Sequence, residues 1–235
     1  MQLSSSMTND SRKIAFFDFC ETLVNFQTAD RFVEFVIKRY PCFYSSLFRH
    51  IYHICFCLGI VSYIERRYPS LSFSKRFVLY MLKGYSKTLL DKAAKEYYYE
   101  VIKPNLITRL ITELKEKQNN DFIIYIVSGG YSTYIKYFAE DFGINSTHII
   151  STRIKFEKNR CTGTFDGPDC MNKEKVLLLN KLFGDMSNIF SIAYSDSSSD
   201  IPMLEWATEG VVVRKKGDLV KNFNNNRFRQ IVWEE

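Results

Sequence analysis

Three short apolar segments of this chain each end at a polar residue that packing alone does not require. They are predicted as buried strands at residues 13–19, 122–128 and 189–194. Asp18 and Ser128 close the first two, and Asp196 follows the third. In open α/β sheets ligands bind outside the carboxyl ends of parallel strands, so we expect these side chains to lie together.

The loop after the third strand carries a pair of acids. Asp196 and Asp200 stand four residues apart in a serine-rich turn, and Pro202 is placed to open the next helix. Two carboxylates on such a loop suit a hard cation with oxygen ligands, such as Mg²⁺. An isolated pair of this kind is more often a solvated helix start. Other segments of the chain, however, supply the remaining parts of one site.

Those segments contribute a hydroxyl group, a pair of glycines and a lysine. Thr22 follows Asp18 by four residues, and Gly129 and Gly130 follow Ser128. Glycines let backbone N–H groups approach an anion closely. A basic helix start, Asn-Lys-Glu-Lys-Val-Leu-Leu-Leu, covers residues 172–179.

In this order the four segments resemble the motifs of the haloacid-dehalogenase (HAD) phosphohydrolase superfamily. The resemblance is closest to its phosphoserine-phosphatase-like branch (subfamily IB), and it covers nearly all of the chain after the first dozen residues. It implies a doubly wound parallel α/β sheet with an inserted α-helical cap. It also implies a Mg²⁺-dependent phosphomonoester hydrolase that works through an aspartyl-phosphate intermediate.

The resemblance assigns roles to the acids. Asp18 would be the nucleophile, and Thr22 belongs to the same catalytic motif. Mg²⁺ would be held by Asp18, by Asp196 and by the backbone carbonyl of Cys20, while Asp200 would complete or orient the metal shell. The metal would offset the repulsion between an anionic nucleophile and an anionic substrate.

The phosphate would be held by Ser128, by the backbone of Gly129 and by a lysine. Lys173 is the preferred lysine because the apolar Leu177 follows it at the spacing usual in the family, and Lys175 is the alternative. The chosen lysine would neutralise the phosphoryl charge and keep Asp18 ionised.

Cys20 departs from the family pattern, which places a second aspartate two residues after the nucleophile. That acid protonates the leaving group and later activates water, whereas a thiol has an unperturbed pKa of ~8.5. General acid–base assistance contributes ~10²–10⁴-fold, so catalysis is the step that the change affects. Glu21 is adjacent in sequence, but neighbouring side chains diverge in an extended loop. Two alternatives therefore stay open: a phosphotransferase with a long-lived phosphoenzyme, and a catalytically weak HAD-like binding protein.

The domain boundaries are predicted from the helical and strand patterns of the apolar residues. Residues 1–12 are predicted to form a mobile N-terminal tail, and residues 13–26 together with 104–235 the catalytic core. Residues 27–103 read as helices throughout and are predicted to form the cap, which Pro104 closes.

Composition excludes some functional classes. The net charge of +6, from 32 basic and 26 acidic residues, favours anionic ligands, but no nucleic-acid-binding motif is present, so no nucleic-acid partner is predicted. The six cysteines contain no CxxC pair and the N-terminus has no apolar leader, which predicts reduced thiols and a cytoplasmic location.

Residues 42–64 form the most hydrophobic part of the chain. The simplest interpretation is a buried cap helix. The alternative is an interfacial segment that contacts a membrane peripherally, flanked by Lys38, Arg39, Arg66 and Arg67. The aromatic residues of the cap suggest a lipid-linked or sugar phosphate, and small phosphomonoesters stay open as substrates.

Overall fold

The fold alternates strands and helices, as seen in a computed structural model that describes residues 12–42, 51, 54–67, 72–184, 186, 188–217 and 227–234. The strands are β1 (Arg12–Phe17), β2 (Ile123–Tyr131), β3 (Ile149–Thr152), β4 (Ile154–Glu157), β5 (Arg160–Phe165), β6 (Ile189–Ser195), β7 (Glu209–Lys215) and β8 (Arg229–Trp233). The helices are α1 (Thr28–Arg39), α2 (Ile60–Arg67), α3 (Phe73–Tyr80), α4 (Lys87–Tyr97), α5 (Thr108–Asn119), α6 (Ser132–Asp141), α7 (Lys173–Phe183) and α8 (Ile201–Trp206).

Six of these strands form one parallel sheet in the order β3-β2-β1-β6-β7-β8. From the central strand β1 the strand order runs to β2 and β3 on one side and to β6, β7 and β8 on the other. The loops after β1 and β6 therefore adjoin where the strand order reverses, at a topological switch point. Register confirms this: Phe17 aligns with Ile126 on one side and with Tyr194 on the other. The remaining strands, β4 and β5, form a separate antiparallel hairpin.

Successive side chains of a strand point to opposite faces of the sheet, and they form two apolar clusters, one on each face. Ala15 and Phe17 point into the larger cluster, whereas Ile14 and Phe16 point into the smaller one. Residues of α1, α3, α4, α5 and α6 fill the larger cluster, and residues of α7 and α8 fill the smaller one. Helices therefore cover both faces of the sheet, and the predicted doubly wound α/β fold is confirmed.

The helices between β1 and β2 share their interior with the sheet. Phe32 of α1, Leu79 of α3 and Tyr97 of α4 are fully buried in the same cluster as Phe17. Packing of the insertion thus continues the core of the sheet. The division into a cap at 27–103 and a core stays a proposal.

Most other elements lie where the sequence predicts them. The strands predicted at 13–19, 122–128 and 189–194 correspond to β1, β2 and β6, and the predicted basic helix start at 172–179 opens α7. Strand β8 was missed, since its alternating residues, Ile231 and Trp233, give too short an apolar run to detect. Of the predicted tail, residues 1–11 lie outside the described residues, and Arg12 already begins β1.

The hydrophobic segment at 42–64 is described only in part. Phe43, Phe48, His50 and His53 lie outside the described residues. Large apolar side chains that the structure does describe are exposed here, namely Ile51, Ile54, Phe56, Leu58, Ile60 and Tyr63, so burial throughout the segment is not what the structure shows. Within the described part of the chain, no helix combines the length and the apolar character needed to cross a bilayer. Peripheral membrane contact stays a prediction.

Strand β8 is tied to the sheet by a buried carboxylate. Glu113 of α5 accepts hydrogen bonds from Arg229 at 2.9 Å and from the Tyr194 hydroxyl at 2.8 Å. Burial opposes ionisation of Glu113, but these hydrogen bonds outweigh it and hold its pKa below the ordinary value. The ion pair between Glu113 and Arg229 therefore holds α5 against β8.

Replacing Arg229 with methionine should lower the free energy of unfolding by about 1–2 kcal/mol, because a buried acceptor loses its charged donor while keeping Tyr194. Urea unfolding measures the change. Arg227→Met is the matched control, since Arg227 pairs with Glu205 where both side chains are exposed and should matter little. Equal losses in the two variants would contradict this assignment.

Candidate active site

Asp18 lies at the centre of the carboxyl edge of the sheet. It follows β1 directly, and its backbone N–H donates to the Tyr194 carbonyl of the adjacent β6 at 2.9 Å. Its side chain is almost entirely buried. Because β6 runs parallel to β1, it delivers Asp196 to the same edge.

Thr22 joins these two acids. Its hydroxyl lies 3.4 Å from Asp18 Oδ2 and 3.2 Å from Asp196 Oδ1, and it accepts a hydrogen bond from the Asp196 backbone N–H at 3.1 Å. One hydroxyl within reach of both carboxylates places the carboxylates close to each other. Thr22 is itself fully buried, and its place in the catalytic motif stays a prediction.

Proximity and burial make this pair of acids costly to ionise. Burial raises the pKa of Asp18 to about 6, although the Lys175 ammonium opposes that rise. Burial, followed by the negative charges of Asp18 and Glu21, raises the pKa of Asp196 to about 7. A cation between the two carboxylates would relieve this repulsion.

Lys175, the alternative of the two candidate lysines, is the one that contacts Asp18. Lys175 Nζ donates to Asp18 Oδ1 at 2.7 Å and to Asp200 Oδ2 at 2.6 Å, and the side chain is 4% exposed. Lys173 is exposed at the start of α7. The helical phase accounts for this placement: Leu177, four residues after Lys173, is exposed, whereas Leu179, four residues after Lys175, is buried.

The charge of Lys175 is secure despite its burial. Burial by itself would lower the pKa of the ammonium, but attraction to Asp18 and Asp200 outweighs it and raises the pKa above the ordinary value. Lys175 therefore stays protonated and stabilises the ionised form of Asp18.

Asp200 faces this lysine. Its Oδ2 accepts hydrogen bonds from Lys175 and, at 2.7 Å, from the hydroxyl of Ser195, and its side chain is 3% exposed. The geometry fits an orienting role for Asp200 better than direct metal ligation. The hydrogen bond from Ser195 supports that role.

Ser128 and Gly129 stand beside Asp18 at the end of β2. The Ser128 hydroxyl accepts a hydrogen bond from the Gly130 N–H at 3.0 Å, which leaves its own proton to donate. A Cβ on Gly129 would lie 2.7 Å from Met171 Cγ, and one on Gly130 would lie 2.7 Å from the Tyr134 hydroxyl. A side chain at either position would therefore force its neighbour, Met171 or Tyr134, to shift.

These residues line one cavity of about 360 Å³. Its inner wall holds the acids, Ser128, Gly129 and Lys175. The outer lining is mostly polar and comprises Gln27, Ala29, Asp30, Ser72, Ser74, Lys75, Met171, Asn172, Ser197 and Ser199. Lys173 is not among the described residues that line it.

Cys20 lines the cavity as well, but its thiol is turned into a buried hydroxyl chain. The sulfur lies 3.0 Å from the Thr28 hydroxyl, which in turn lies 2.6 Å from the Tyr134 hydroxyl. Burial and the charge of Asp18 raise the thiol pKa to about 11, so the group stays protonated at neutral pH. Glu21 adopts a left-handed conformation with φ 56° and accepts a hydrogen bond from Gln27, which keeps it from replacing the missing acid.

The donor set fits Mg²⁺. That ion is usually held through one or two carboxylates together with waters and substrate phosphate, and Asp18 and Asp196 supply two carboxylates whose ionisation a cation would favour. In the described part of the chain, no group of three or more histidine, cysteine, aspartate or glutamate side chains is arranged around a metal position. The remaining ligands would thus be the Cys20 carbonyl, water and substrate.

Two residues at this edge went undetected in the sequence. Lys75 of α3 forms an ion pair with Asp169, and Lys75 borders the cavity. The two residues are 94 positions apart, and neither belongs to a motif, so only the tertiary structure brings them together.

Comparison with known proteins agrees with this geometry. One relative, a histidinol-phosphatase of Neisseria meningitidis serogroup C (strain 8013), is 23% identical over 231 residues, covering 89% of this chain and 94% of its own. A protein of unknown function from Bordetella pertussis Tohama I has a similar structure, with a TM-score of 0.70, 22% identity and coverage of 86% and 90%. A phosphoserine phosphatase in its apo form has a TM-score of 0.56 and 20% identity, covering 86% of each chain.

A family model that matches most of the chain, including the residues of the candidate site, establishes the family. The model of the haloacid dehalogenase-like hydrolases matches residues 15–205, from within β1 to within α8, and so includes the loop that holds Asp196 and Asp200. The chain belongs to the haloacid dehalogenase-like hydrolase family, as its sequence motifs predict.

Proposed function

We propose that this protein is a Mg²⁺-dependent phosphomonoester hydrolase in which Asp18 is the nucleophile. The observation that supports this most directly is the contact between Asp18 and the buried Lys175, beside Ser128 and Gly129 in one cavity. A carboxylate held ionised next to anion-binding groups suits attack on a phosphate ester. The names of the relatives, phosphatases for histidinol phosphate and phosphoserine, agree with the proposal.

The reaction divides into two steps. An oxygen of Asp18 forms a bond to phosphorus while the ester P–O bond breaks, and the leaving oxygen takes up a proton. Water then attacks phosphorus, gives up a proton and releases inorganic phosphate, which restores Asp18. Ser128 and the Gly129 N–H orient the phosphoryl oxygens, and bound Mg²⁺ would neutralise their charge.

The step for which this chain lacks the usual catalytic group is protonation of the leaving oxygen. Cys20 occupies the position of the usual acid, but its raised pKa makes it a poor donor and keeps it from acting as a base. A phosphotransferase with a long-lived phosphoenzyme is therefore a second candidate, favoured by this observation.

The cavity favours a small polar substrate. Among the described residues its lining contains no aromatic side chain, whereas hydroxyl and amide groups are frequent. Several described aromatic residues of the cap, Phe32, Tyr97 and Tyr98, are buried in the core and do not line the cavity. Within the described residues, the aromatic composition that suggested a lipid phosphate therefore has no counterpart at the site, and we infer a small phosphate ester bearing polar groups.

The first test is a phosphatase screen over small phosphate esters, with lipid phosphates in vesicles as a second arm. Activity should be lost in EDTA and return with Mg²⁺, because the two carboxylates cannot hold phosphate without a cation. Asp18→Asn should abolish turnover, and Asp196→Asn should chiefly raise the Mg²⁺ concentration required. Full activity in EDTA would contradict the metal site, and faster turnover of lipid phosphates would contradict the inferred substrate class.

The two neighbouring lysines provide a matched pair. Lys175→Met should lower kcat by about 10²–10³-fold, the loss typical when one charge-stabilising donor is removed from an active site. Lys173→Met makes the same change on the exposed face of the same helix and should retain activity. Thermal unfolding should accompany the kinetics, because Lys175→Met leaves two buried carboxylates without their partner. The opposite ranking would return the role to Lys173.

Cys20→Asp should raise the hydrolysis of alkyl phosphates, whose leaving oxygens need a proton, by up to ~10²–10⁴-fold. Activated aryl phosphates should change less in the phosphorylation step, and dephosphorylation of the enzyme should become faster. Single-turnover kinetics separates the two steps, and Cys20→Ser serves as the control without an acid. Lower activity of Cys20→Asp on every substrate would show that the thiol is an adaptation to the natural substrate.

A further inference from the structure

Lys75 reaches from the helical insertion into the phosphate-binding edge of the sheet. It lies in the first turn of α3, and its Nζ donates to the Gly129 carbonyl at 2.6 Å and to the Thr152 hydroxyl at 3.3 Å. It also forms an ion pair with Asp169, and its side chain is only 12% exposed. The lysine thus connects α3 with the ends of β2 and β3 and with the loop before α7.

The ammonium group has no hydrogen left for a ligand. Lysine carries three N–H donors, and here they meet three acceptors, on Gly129, Thr152 and Asp169. Lys75 borders the cavity, yet binding a substrate oxygen would require it to give up one of these contacts. Its role is therefore indirect.

Lys75 holds one side of the peptide group between Gly129 and Gly130. The carbonyl of that peptide accepts from Lys75, while its N–H donates to the Ser128 hydroxyl at 3.0 Å. Because this N–H occupies a lone pair of the hydroxyl oxygen, the direction of the Ser128 proton depends on the orientation of the peptide. Fixing the carbonyl consequently fixes the donor that faces the phosphate.

A second branch of the same network leads to Lys175. The Thr152 hydroxyl donates to Asp169 at 2.7 Å and accepts from the Cys170 N–H at 3.1 Å, so its hydrogen-bonding capacity is full. Cys170 belongs to the loop that opens α7, which carries Lys175. One lysine therefore connects both segments that are expected to bind the phosphate.

Asp169 depends on Lys75 for compensation of its charge. Its side chain is 9% exposed, and its second oxygen, Oδ2, is buried without a hydrogen-bond partner in the described structure. If Lys75 lost its charge, a bare carboxylate would remain near the phosphate site. An electrostatic effect must therefore be separated from a positioning effect in any test.

We propose that Lys75 is a positioning residue that fixes the Gly129–Gly130 peptide, and through it the Ser128 hydroxyl, for binding of the phosphoryl group. This inference rests on the proposed phosphatase function. It also makes the insertion a direct contributor to the shape of the phosphate site, in addition to covering it.

The test compares Lys75→Met with the double variant Lys75→Met/Asp169→Asn. Inorganic phosphate is the probe, used as a competitive inhibitor of p-nitrophenyl phosphate hydrolysis, and hydrogen exchange is followed in the peptide covering 126–134. Lys75→Met should raise the inhibition constant for phosphate by about 10–100-fold, as small misplacements of binding groups do, and should speed exchange at Gly129 and Gly130. The double variant removes the bare carboxylate and should keep most of both effects.

Two further variants complete the design. Lys92→Met removes a cap lysine that is 67% exposed and 3.9 Å from Glu96, so it should behave as wild type. Lys75→Arg keeps the charge beside Asp169, yet a planar guanidinium cannot converge on the same three acceptors, so it should also weaken phosphate binding. This variant replaces Lys75→Met if the latter does not fold.

Several results would overturn the proposal. A lower melting temperature with an unchanged inhibition constant and unchanged exchange at Gly129 would make Lys75 a structural contact only. A return of the double variant to the wild-type inhibition constant would make the effect purely electrostatic. If the wild type hydrolyses no phosphate ester, the proposed function fails, while the exchange measurement still decides whether Lys75 orders the loop.

Discussion

The site depends on one buried ammonium group that lies between two carboxylates. Lys175 contacts Asp18 and Asp200, and all three side chains are almost completely removed from solvent. Removing one member of such a set leaves an uncompensated charge in a medium of low polarity, which is far more costly than losing an exposed ion pair. The loops after β1 and β6 and the start of α7 are held in one arrangement by this requirement.

Asp196 does not contact Lys175 among the described ion pairs, and this distinguishes its environment from that of Asp18 and Asp200. Asp18 is compensated by Lys175, whereas the side-chain contact of Asp196 within the described residues is with the Thr22 hydroxyl. Its pKa is accordingly raised further, to about 7. A cation bound beside Asp196 would favour the ionised form of this carboxylate, in keeping with its proposed role as a metal ligand.

The parts of this structure that the sequence predicts well are those with a local signal. Apolar runs that end at Asp18, Ser128 and Asp196 identify both the strands and the edge where they meet, since parallel pairing brings their carboxyl ends together. The choice between Lys173 and Lys175 depended on the rotation of a short helix, and its apolar run at 176–179 leaves that phase ambiguous. Lys75 and Asp169 could not be predicted, because their meeting is decided by the packing of α3 on the sheet and has no local pattern.

Because the helices between β1 and β2 share one apolar core with the sheet, their packing limits how substrate and product can enter and leave the active site. A rigid swing of the helices away from the sheet would expose side chains such as Phe32, Leu79 and Tyr97, each at a cost of about 1.5–3 kcal/mol. Such an opening would be too rare to serve every turnover. We therefore expect substrate and inorganic phosphate to enter and leave the cavity without such a swing, so the size of the cavity itself would limit which substrates fit ahead of any chemical recognition.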